Sequence, residues 1–491
     1  MDKIIEEFDF AIQWLPEKPA TGRIGKDVAR QLKARTCLHE GTYYKYHTEL
    51  GWADKADRLL KMAADETDAI MATGKYEIYN TGHPEKDYYD VFVMEDKTNL
   101  KEAILPVTYL DGKRKHGMSR TLAEANTGFS KDFVESYLCL NGKPITGNDQ
   151  YKGDTNMKDE TTDRDPRLKQ TILTWDFPTR VTVATNDSTY IEKEEDFISQ
   201  YCLTGYKSIK YFIPTDKAFE ANNNTYDGIA YRYAETLLIN AEAKAELGTI
   251  TQADLNKTIN VLRDRAGMPH LTLEVGFTDP NWPAWGYSLT PLLQEIRRER
   301  RIELAGEGFR WDDLARWKAG AICNNVKTYI GKREPYKEGQ YAIVYPAYTN
   351  DNYSYEAGKS RTWNDRLYLR PIPTGELQRN DNLSANPGWI LLLVSRNEFP
   401  GIFYLVTYNL LTYHENKQTT VCRSRPDPTW RLRSSCESSR SHLTRSRRET
   451  SRLAENGNVC FRSLWSEHLQ RPGMGIRRFG SENVQSNQTG L

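Results

Sequence analysis

The sequence predicts a mainly α protein, a helical-repeat scaffold with long irregular loops and a few short strands. Two regions with strong helical periodicity, 1–75 and 231–320, flank a region at 76–230 that is rich in Gly, Asn, Asp and Thr. Apolar residues that recur every three or four positions indicate amphipathic helices, whereas clusters of Gly, Asn and Asp indicate loops. Short links between the helices and small residues at their contacts are typical of helical arrays, although no consensus repeat motif is present.

The N-terminal region contains three predicted helices. The first carries an apolar stripe from its opening residues and is ended by Pro16. A second lies within residues 22–41 and has small and apolar residues on one face. The third runs from about Ala53 to Thr73 and ends at Gly74, where glycine can adopt a left-handed backbone. The chain starts inside a helix without a secretory leader, so we expect an upstream part of the protein to precede it.

The middle region, 76–230, is predicted to consist mostly of loops. Residues 142–155 and 156–175 carry turn-forming residues at high density and are interpreted as loops with occasional strands. Long loops in an ordered protein either carry function or are variable surface. Asp163 and Asp165 form a DxD string, but the following Pro-Arg-Leu favours a turn over a catalytic pair.

A helical hairpin is predicted to open the second helical region. Its first helix begins at Tyr231 and ends at Gly248, and small alanines on its inner face allow close approach of a partner. Thr251 can cap the second helix, which Gly267 and Pro269 end. Two helices joined by about three residues form an antiparallel pair.

A third strong helix follows, with Thr290 as its cap and Pro291 at its first position. Its continuation, Glu295–Trp317, is dense in Glu and Arg. One interpretation is a solvated face, on which Glu and Arg pair at helical spacing. As a string, however, E-R-R-I-E-L-x-x-E-G-x-R followed by D-L-x-R-W is far more specific than a generic charged face.

Several short motifs occur in a fixed order along the chain. They are GRIGKDVA (Gly22–Ala29), DRDPRL (Asp163–Leu168), YRYAETLLINAEAKAELG (Tyr231–Gly248), INVLRDRAGMP (Ile259–Pro269), EIRRERRIELAGEGFRWDDLARW (Glu295–Trp317), LYLRPIP (Leu367–Pro373) and NPGW (Asn386–Trp389). Together they resemble the SusD/RagB family of outer-membrane nutrient-binding proteins over Met1–Trp389. In that family the charges of the Glu/Arg helix mainly fix helix packing.

The resemblance implies a SusD-like fold, a tetratricopeptide-like helical-repeat scaffold over residues 1–389. It implies non-catalytic binding of an oligosaccharide or other nutrient at the cell surface. It further implies delivery to a TonB-dependent SusC-like transporter and location at the outer membrane, as a lipid-anchored protein in the intact family. A member of the family is normally longer at its N-terminus than this chain.

Residues 390–491 depart from the rest of the sequence. Within 391–491 there are 14 Arg but a single Lys, Lys417, together with frequent Ser. Three interpretations are open: a basic nucleic-acid arm, a disordered Arg/Ser-rich tail, or translation in the wrong reading frame. We favour the last, because members of the family normally end near the NPGW motif.

Composition excludes several function classes. The formal net charge of +0 gives no general reason to expect a nucleic-acid partner. The longest apolar run, 390–411, is interrupted by Arg396, Glu398 and Pro400, which argues against a membrane span. The seven cysteines lack a CxxC pair, and the eight histidines do not cluster, so neither a metal nor another cofactor is predicted. Nucleotide-binding, protease and esterase motifs are absent from the sequence.

Candidate ligand-binding residues are the aromatic side chains of loops, because sugar rings stack on Trp and Tyr. They are Tyr151, Trp175, Trp282, Trp285 and Tyr287. Asn148, Asp149 and Asn281 could supply hydrogen bonds to sugar hydroxyl groups nearby. The alternative is that each Trp of the Pro-rich loop 277–287 pins that loop to the helices below.

Two other function classes stay open from sequence. One is an interaction scaffold that binds no small ligand. The other is a glycoside hydrolase, which needs only two carboxyl groups about 5–10 Å apart. No residue pattern marks such a pair, so an enzyme is not predicted.

Overall fold

The computed structural model describes residues 1–125, 128–333, 341–343, 362–369, 371–380 and 382–386. All of them belong to one compact unit, Met1–His414. The predicted Arg/Ser-rich tail, 390–491, and the last three residues of the NPGW motif lie outside the described residues.

The three predicted N-terminal helices are confirmed. They are α1 (Asp2–Trp14), α2 (Lys26–Tyr46) and α3 (Ala56–Ala72). Gly74 has a φ of +62°, as expected of the glycine that closes α3. Helices α2 and α3 pack closely at Gly41, where an added Cβ would lie 3.0 Å from Cγ of Leu60. Small residues therefore set the spacing of this pair.

The middle region contains short elements separated by long loops, as predicted. They are α4 (Asp87–Val93), β1 (Ala103–Val107), α5 (Met118–Glu124), α6 (Lys131–Glu135), α7 (Met157–Thr161), β2 (Arg180–Thr182) and β3 (Asp187–Thr189). One detail differs from the sequence interpretation, since 156–175 holds the helix α7. The Asn156 side chain caps it by accepting a hydrogen bond from the backbone N–H of Asp159.

The predicted helical hairpin forms, with a short strand before it. Its elements are β4 (Gly228–Arg232), α8 (Tyr233–Glu246), α9 (Gln252–Lys257) and α10 (Ile259–Arg265). The predicted start of the first helix at Tyr231 is wrong, because Tyr231 pairs with Leu105 of β1 in an antiparallel ladder. Thr251 caps α9 in a capping box with Asp254, as expected. The second helix is interrupted at Thr258.

The charged helix is divided in two. Thr290 caps α11 (Pro291–Glu303), and α12 (Arg310–Arg316) follows after a bend. Gly306 and Gly308 have φ values of +72° and +90°, which a helix cannot accommodate. Further along, the described residues form β5 (Ile330–Arg333), β6 (Tyr341–Ile343) and α13 (Thr374–Arg379).

Helix α8 occupies the centre of the helical part. Its Ile239 and Ala243 pack with α2 and α3, whereas Leu237 and Leu238 pack with α10 and α11. Buried residues on nearly every face explain why α8 is rich in alanine, leucine and isoleucine. No helix within the described ranges is both long and apolar enough to cross a membrane.

The charges of α11 are buried, so the solvated-face interpretation is wrong. Glu303 is 0% exposed and binds Arg167, Arg232 and Arg265 at 3.1, 2.6 and 2.6 Å. Glu299 binds Arg167 and Arg263 at 2.5 and 3.0 Å. Because a buried ion requires a charged, hydrogen-bonded partner, these pairs join α11 to segments far apart in sequence. The packing role that the family resemblance implies for these charges is confirmed.

Candidate functional site

A cavity of about 320 Å³ lies beside the Pro-rich loop 277–287. Its wall is formed by α6, this loop, α11, the start of α12 and residues 321–327. Trp282 contributes a half-buried aromatic ring, and the side chains of Asn281, Gln294 and Asn325 contribute amide groups. We refer to it as the Trp282 cavity. Apolar rings beside amide and charged groups are the composition expected of a ligand site.

The loop 277–287 is held against α11 by polar contacts. The indole Nε1 of Trp282 donates a hydrogen bond of 2.7 Å to Oε1 of Glu295. Asp279 accepts a 2.8 Å hydrogen bond from the backbone N–H of Asn281 and pairs with Arg298. Since the edge of the Trp282 ring is fixed in this way, its orientation in the cavity wall is defined before any ligand arrives.

Two predicted ligand residues, Trp285 and Tyr287, anchor the same loop. Trp285 is 7% exposed, its Nε1 donates to Gln294 Oε1 at 2.5 Å, and its ring lies 4.7 Å from the Arg297 guanidinium. The Tyr287 hydroxyl donates to the backbone carbonyl of Trp317 at 2.5 Å, and its ring stacks on Tyr46 at 4.4 Å. These contacts match the pinning alternative, although Trp285 also borders the cavity.

Burial also affects the Tyr287 hydroxyl. Desolvation raises its pKa to about 12, although the charge of Arg297 acts in the opposite direction. The hydroxyl is therefore neutral at physiological pH and remains a hydrogen-bond donor.

A second predicted group, Asn148, Asp149 and Tyr151, lies in the loop 141–152. This loop is joined to the first, because Nδ2 of Asn281 donates to Oγ1 of Thr146 at 2.6 Å. The Asn148 side chain bonds within its own loop, and the backbone carbonyl of Asp149 accepts from Lys152. Tyr151 is half-buried, with the Arg164 guanidinium 5.3 Å from its ring. The structure thus brings two of the predicted loops together.

Trp175 belongs to another part of the molecule. Its ring makes an edge contact with Phe197 at 5.1 Å and packs against the core of the loop-rich region. It is not among the residues that line the Trp282 cavity.

Several charged residues of the cavity were not predicted. Asp132 and Glu135 come from α6, Arg301 from α11, Arg310 from α12, and Lys327 from the segment beyond α12. Arg301 binds Asp132 at 2.5 Å, and Lys327 binds Glu135 at 2.6 Å. Arg301 and Arg310 belong to the Glu/Arg motif and could have been considered. The other three carry no local signal in the sequence.

The cavity carboxylates are held in their charged form or in ion pairs. Burial alone would raise the pKa of Asp132, but the Arg301 guanidinium outweighs it and holds that pKa below its ordinary value. Asp279 and Glu135 are bound to Arg298 and Lys327. Nowhere in the described part of the chain do His, Cys, Asp and Glu side chains form a group able to hold a metal ion.

The sequence matches the model of the SusD family over residues 44–389. It is 25% identical over 400 residues to a SusD-like protein, P2, from Formosa agariphila, covering 79% of this chain and 64% of that relative. A solved SusD-like protein from Bacteroides fragilis shares the fold with a TM-score of 0.56 at 22% identity, covering 79% of this chain and 70% of the other. A solved SusD-like carbohydrate-binding protein from the same species gives a TM-score of 0.54 at 26% identity, with coverage of 77% and 70%.

Proposed function

The chain belongs to the SusD family, and from the geometry of its cavity we propose that it binds an oligosaccharide without cleaving it. The observation that carries this proposal is the Trp282 cavity, where an oriented indole ring lies among amide and charged side chains. The carbohydrate binding described for the similar protein of Bacteroides fragilis supports the same function.

The chemistry of the cavity suits a sugar. The apolar face of a pyranose ring can stack on Trp282, while Asn281, Gln294 and Asn325 can exchange hydrogen bonds with its hydroxyl groups. A cavity of about 320 Å³ is at the lower end of the range of small-molecule sites, so it suits one or two sugar units of a longer chain.

The charge arrangement disfavours glycoside hydrolysis. A glycosidase needs a carboxyl group with a raised pKa that can donate a proton. In this cavity Asp132 has a lowered pKa, because Arg301 outweighs its burial. Asp279 and Glu135 are engaged by Arg298 and Lys327. Binding without cleavage is therefore the activity that this geometry supports best.

Membership of the family supports a partner and a location for the intact protein. We propose that it acts at the outer surface of the outer membrane and passes its ligand to a TonB-dependent SusC-like transporter. Co-purification of a tagged copy with such a transporter from the native envelope, after detergent extraction, tests this part separately. Recovery of the tagged protein without a transporter, under conditions that keep related pairs together, would contradict it.

Calorimetric titration with a panel of oligosaccharides tests ligand binding. We expect at least one glycan to bind. Trp282→Ala should lower the affinity for that glycan about tenfold or more, because the stacking surface is removed. Trp52→Ala provides a matched control, since Trp52 is 42% exposed and contacts Tyr44 near the N-terminal helices.

Three results would contradict the proposal. Release of reducing sugar would indicate a hydrolase, and unchanged affinity in Trp282→Ala would place the ligand elsewhere. Failure of every glycan to bind a folded protein would favour the interaction scaffold. Circular dichroism of each variant establishes that it is folded.

A further inference from the structure

Five cationic side chains line the Trp282 cavity, and four of them are paired with carboxylates. Arg297 binds Glu246 at 2.9 Å, Arg298 binds Asp279 and Glu295, Arg301 binds Asp132, and Lys327 binds Glu135. Such pairing offsets the cost of placing these cations in a partly dry site.

Arg310 is the exception. Its guanidinium forms no hydrogen bond or ion pair with any residue that the structure describes, and it borders the cavity. Burial and the neighbouring Arg301 together lower its pKa to about 9. An unpaired cation in such a place is costly, and an incoming anion would relieve that cost.

The wall around Arg310 does not supply a competing anion. The cavity carboxylates Asp132, Glu135 and Asp279 are each bound to another cation. Outside the cavity wall, Asp313 also lies near Arg310, but it is bound to Arg300 and Arg316. Asp132, the wall carboxylate near Arg310, binds Arg301. Each acidic group near Arg310 is therefore already engaged by another cation.

We propose that the ligand is an acidic oligosaccharide whose carboxylate or sulfate ester binds the guanidinium of Arg310 while an adjoining sugar ring stacks on Trp282. This inference rests on the proposed function, since it names the class of glycan for the same cavity. The planar guanidinium offers two parallel N–H donors, a geometry that matches a carboxylate or a sulfate and gives directional recognition. A neutral sugar would leave the cation unpaired, so the cavity would favour the acidic form.

Calorimetric titrations with ligands that differ only in charge test the proposal on the full chain. Oligogalacturonate is compared with its methyl ester, and a sulfated galactan oligosaccharide with its desulfated form, while free sulfate provides an anion without a sugar. We expect one acidic ligand to bind at least tenfold more tightly than its neutral counterpart. The two pairs distinguish a carboxylate from a sulfate ester.

Variants of Arg310 connect the preference to this side chain. Arg310→Met keeps the length of the aliphatic stem and should abolish the preference for the acidic ligand, whereas Arg310→Lys should retain part of it. Arg379→Met is the control and should change nothing, because the Arg379 side chain is 79% exposed on α13. Melting curves of the variants verify that each is folded.

The outcomes distinguish a failure of this inference from a failure of the proposed oligosaccharide binding on which it rests. Equal affinity for acidic and neutral ligands, or a preference that survives in Arg310→Met, would overturn the inference. If those ligands still required Trp282, glycan binding would stand. Binding of free sulfate as tightly as of the sulfated sugar would also overturn it. Absence of binding by every glycan would overturn both proposals.

Discussion

Two neighbouring regions of the molecule differ in whether their arginine side chains form ion pairs with described residues. Along the inner face of α11, Glu303 and Glu299 gather Arg167, Arg232, Arg263 and Arg265 into a continuous ion-pair network. At the start of α12, Arg310 borders a cavity without an ionic partner among the described residues. Paired arginines hold segments together, whereas an unpaired one keeps its hydrogen-bonding capacity for something outside the fold. The same sequence motif thus supplies both scaffold and candidate site.

The largest effect should come from breaking the network. Glu303→Gln removes a charge that serves three buried arginines, and we expect it to lower the free energy of unfolding by about 3–5 kcal/mol. Urea denaturation followed by circular dichroism measures it. Glu124→Gln, which disrupts only an exposed pair with Arg120, should cost about 1 kcal/mol or less. Similar losses in the two variants would refute the structural role of the network.

The next effect concerns the loop that carries Trp282. Trp285 is almost fully buried against Trp317, so Trp285→Ala should cost about 3 kcal/mol of stability through the cavity it leaves. Trp282→Ala should cost less, because the Trp282 ring is half-buried and borders open space. Thermal unfolding of both variants tests the order. The reverse order would assign the anchoring role to Trp282 instead.

Acid should weaken the network in a definite direction. Despite burial, the arginines hold the pKa of Glu303 well below its ordinary value of 4.5, and that of Glu307 is also lowered. A lowered folded-state pKa adds stability that is present above the unfolded value and is lost as pH falls. We expect the urea concentration at the midpoint of unfolding to decrease as the pH is lowered below about 4.5. The decrease should be less steep in Glu303→Gln, which lacks one of these carboxylates.

One buried group, Glu160, works against this trend, since burial raises its pKa although Lys131 opposes the shift. The contribution of Glu160 to folding stability is present at low pH and is lost as the pH rises through that raised pKa. A urea midpoint that rose as the pH was lowered from about 4.5 to about 3 would contradict the account of the network.

The smallest effect on stability is expected at Arg310. Arg310→Met removes an unpaired cation and keeps its apolar stem, so the free energy of unfolding should change by less than about 1 kcal/mol or increase slightly. Urea denaturation of Arg310→Met and Glu303→Gln under the same conditions compares their free energies of unfolding. A loss comparable to that of Glu303→Gln would mean that Arg310 belongs to the scaffold.

Local sequence patterns predict much of the helical fold. Periodicity and caps located α1, α2, α3, α8 and α11, because the signals lie within each helix. The burial of the α11 charges could not be derived from periodicity, since partners such as Arg167 and Arg232 come from distant segments. Glu303 and Arg167, for example, are separated by 136 positions. The resemblance to a family supplied what local rules could not.

The candidate site was predictable only in part. The Pro-rich loop with Trp282 and Asn281 was identified from its aromatic and amide content, and both residues line the cavity. Trp175 carries a similar signal but packs against the core of the loop-rich region, because sequence does not distinguish a half-buried tryptophan beside a cavity from one beside a core. Asp132 and Lys327 enter the cavity through tertiary folding alone, since neither belongs to a recognisable motif.

A crystal structure of the protein with a bound acidic oligosaccharide is the most direct test of this account. We predict the acidic group at hydrogen-bonding distance from the guanidinium of Arg310, with a sugar ring against the indole of Trp282. A sugar bound instead at the exposed Trp311, which packs 5.8 Å from Trp363, would contradict the assignment of the ligand to the Trp282 cavity.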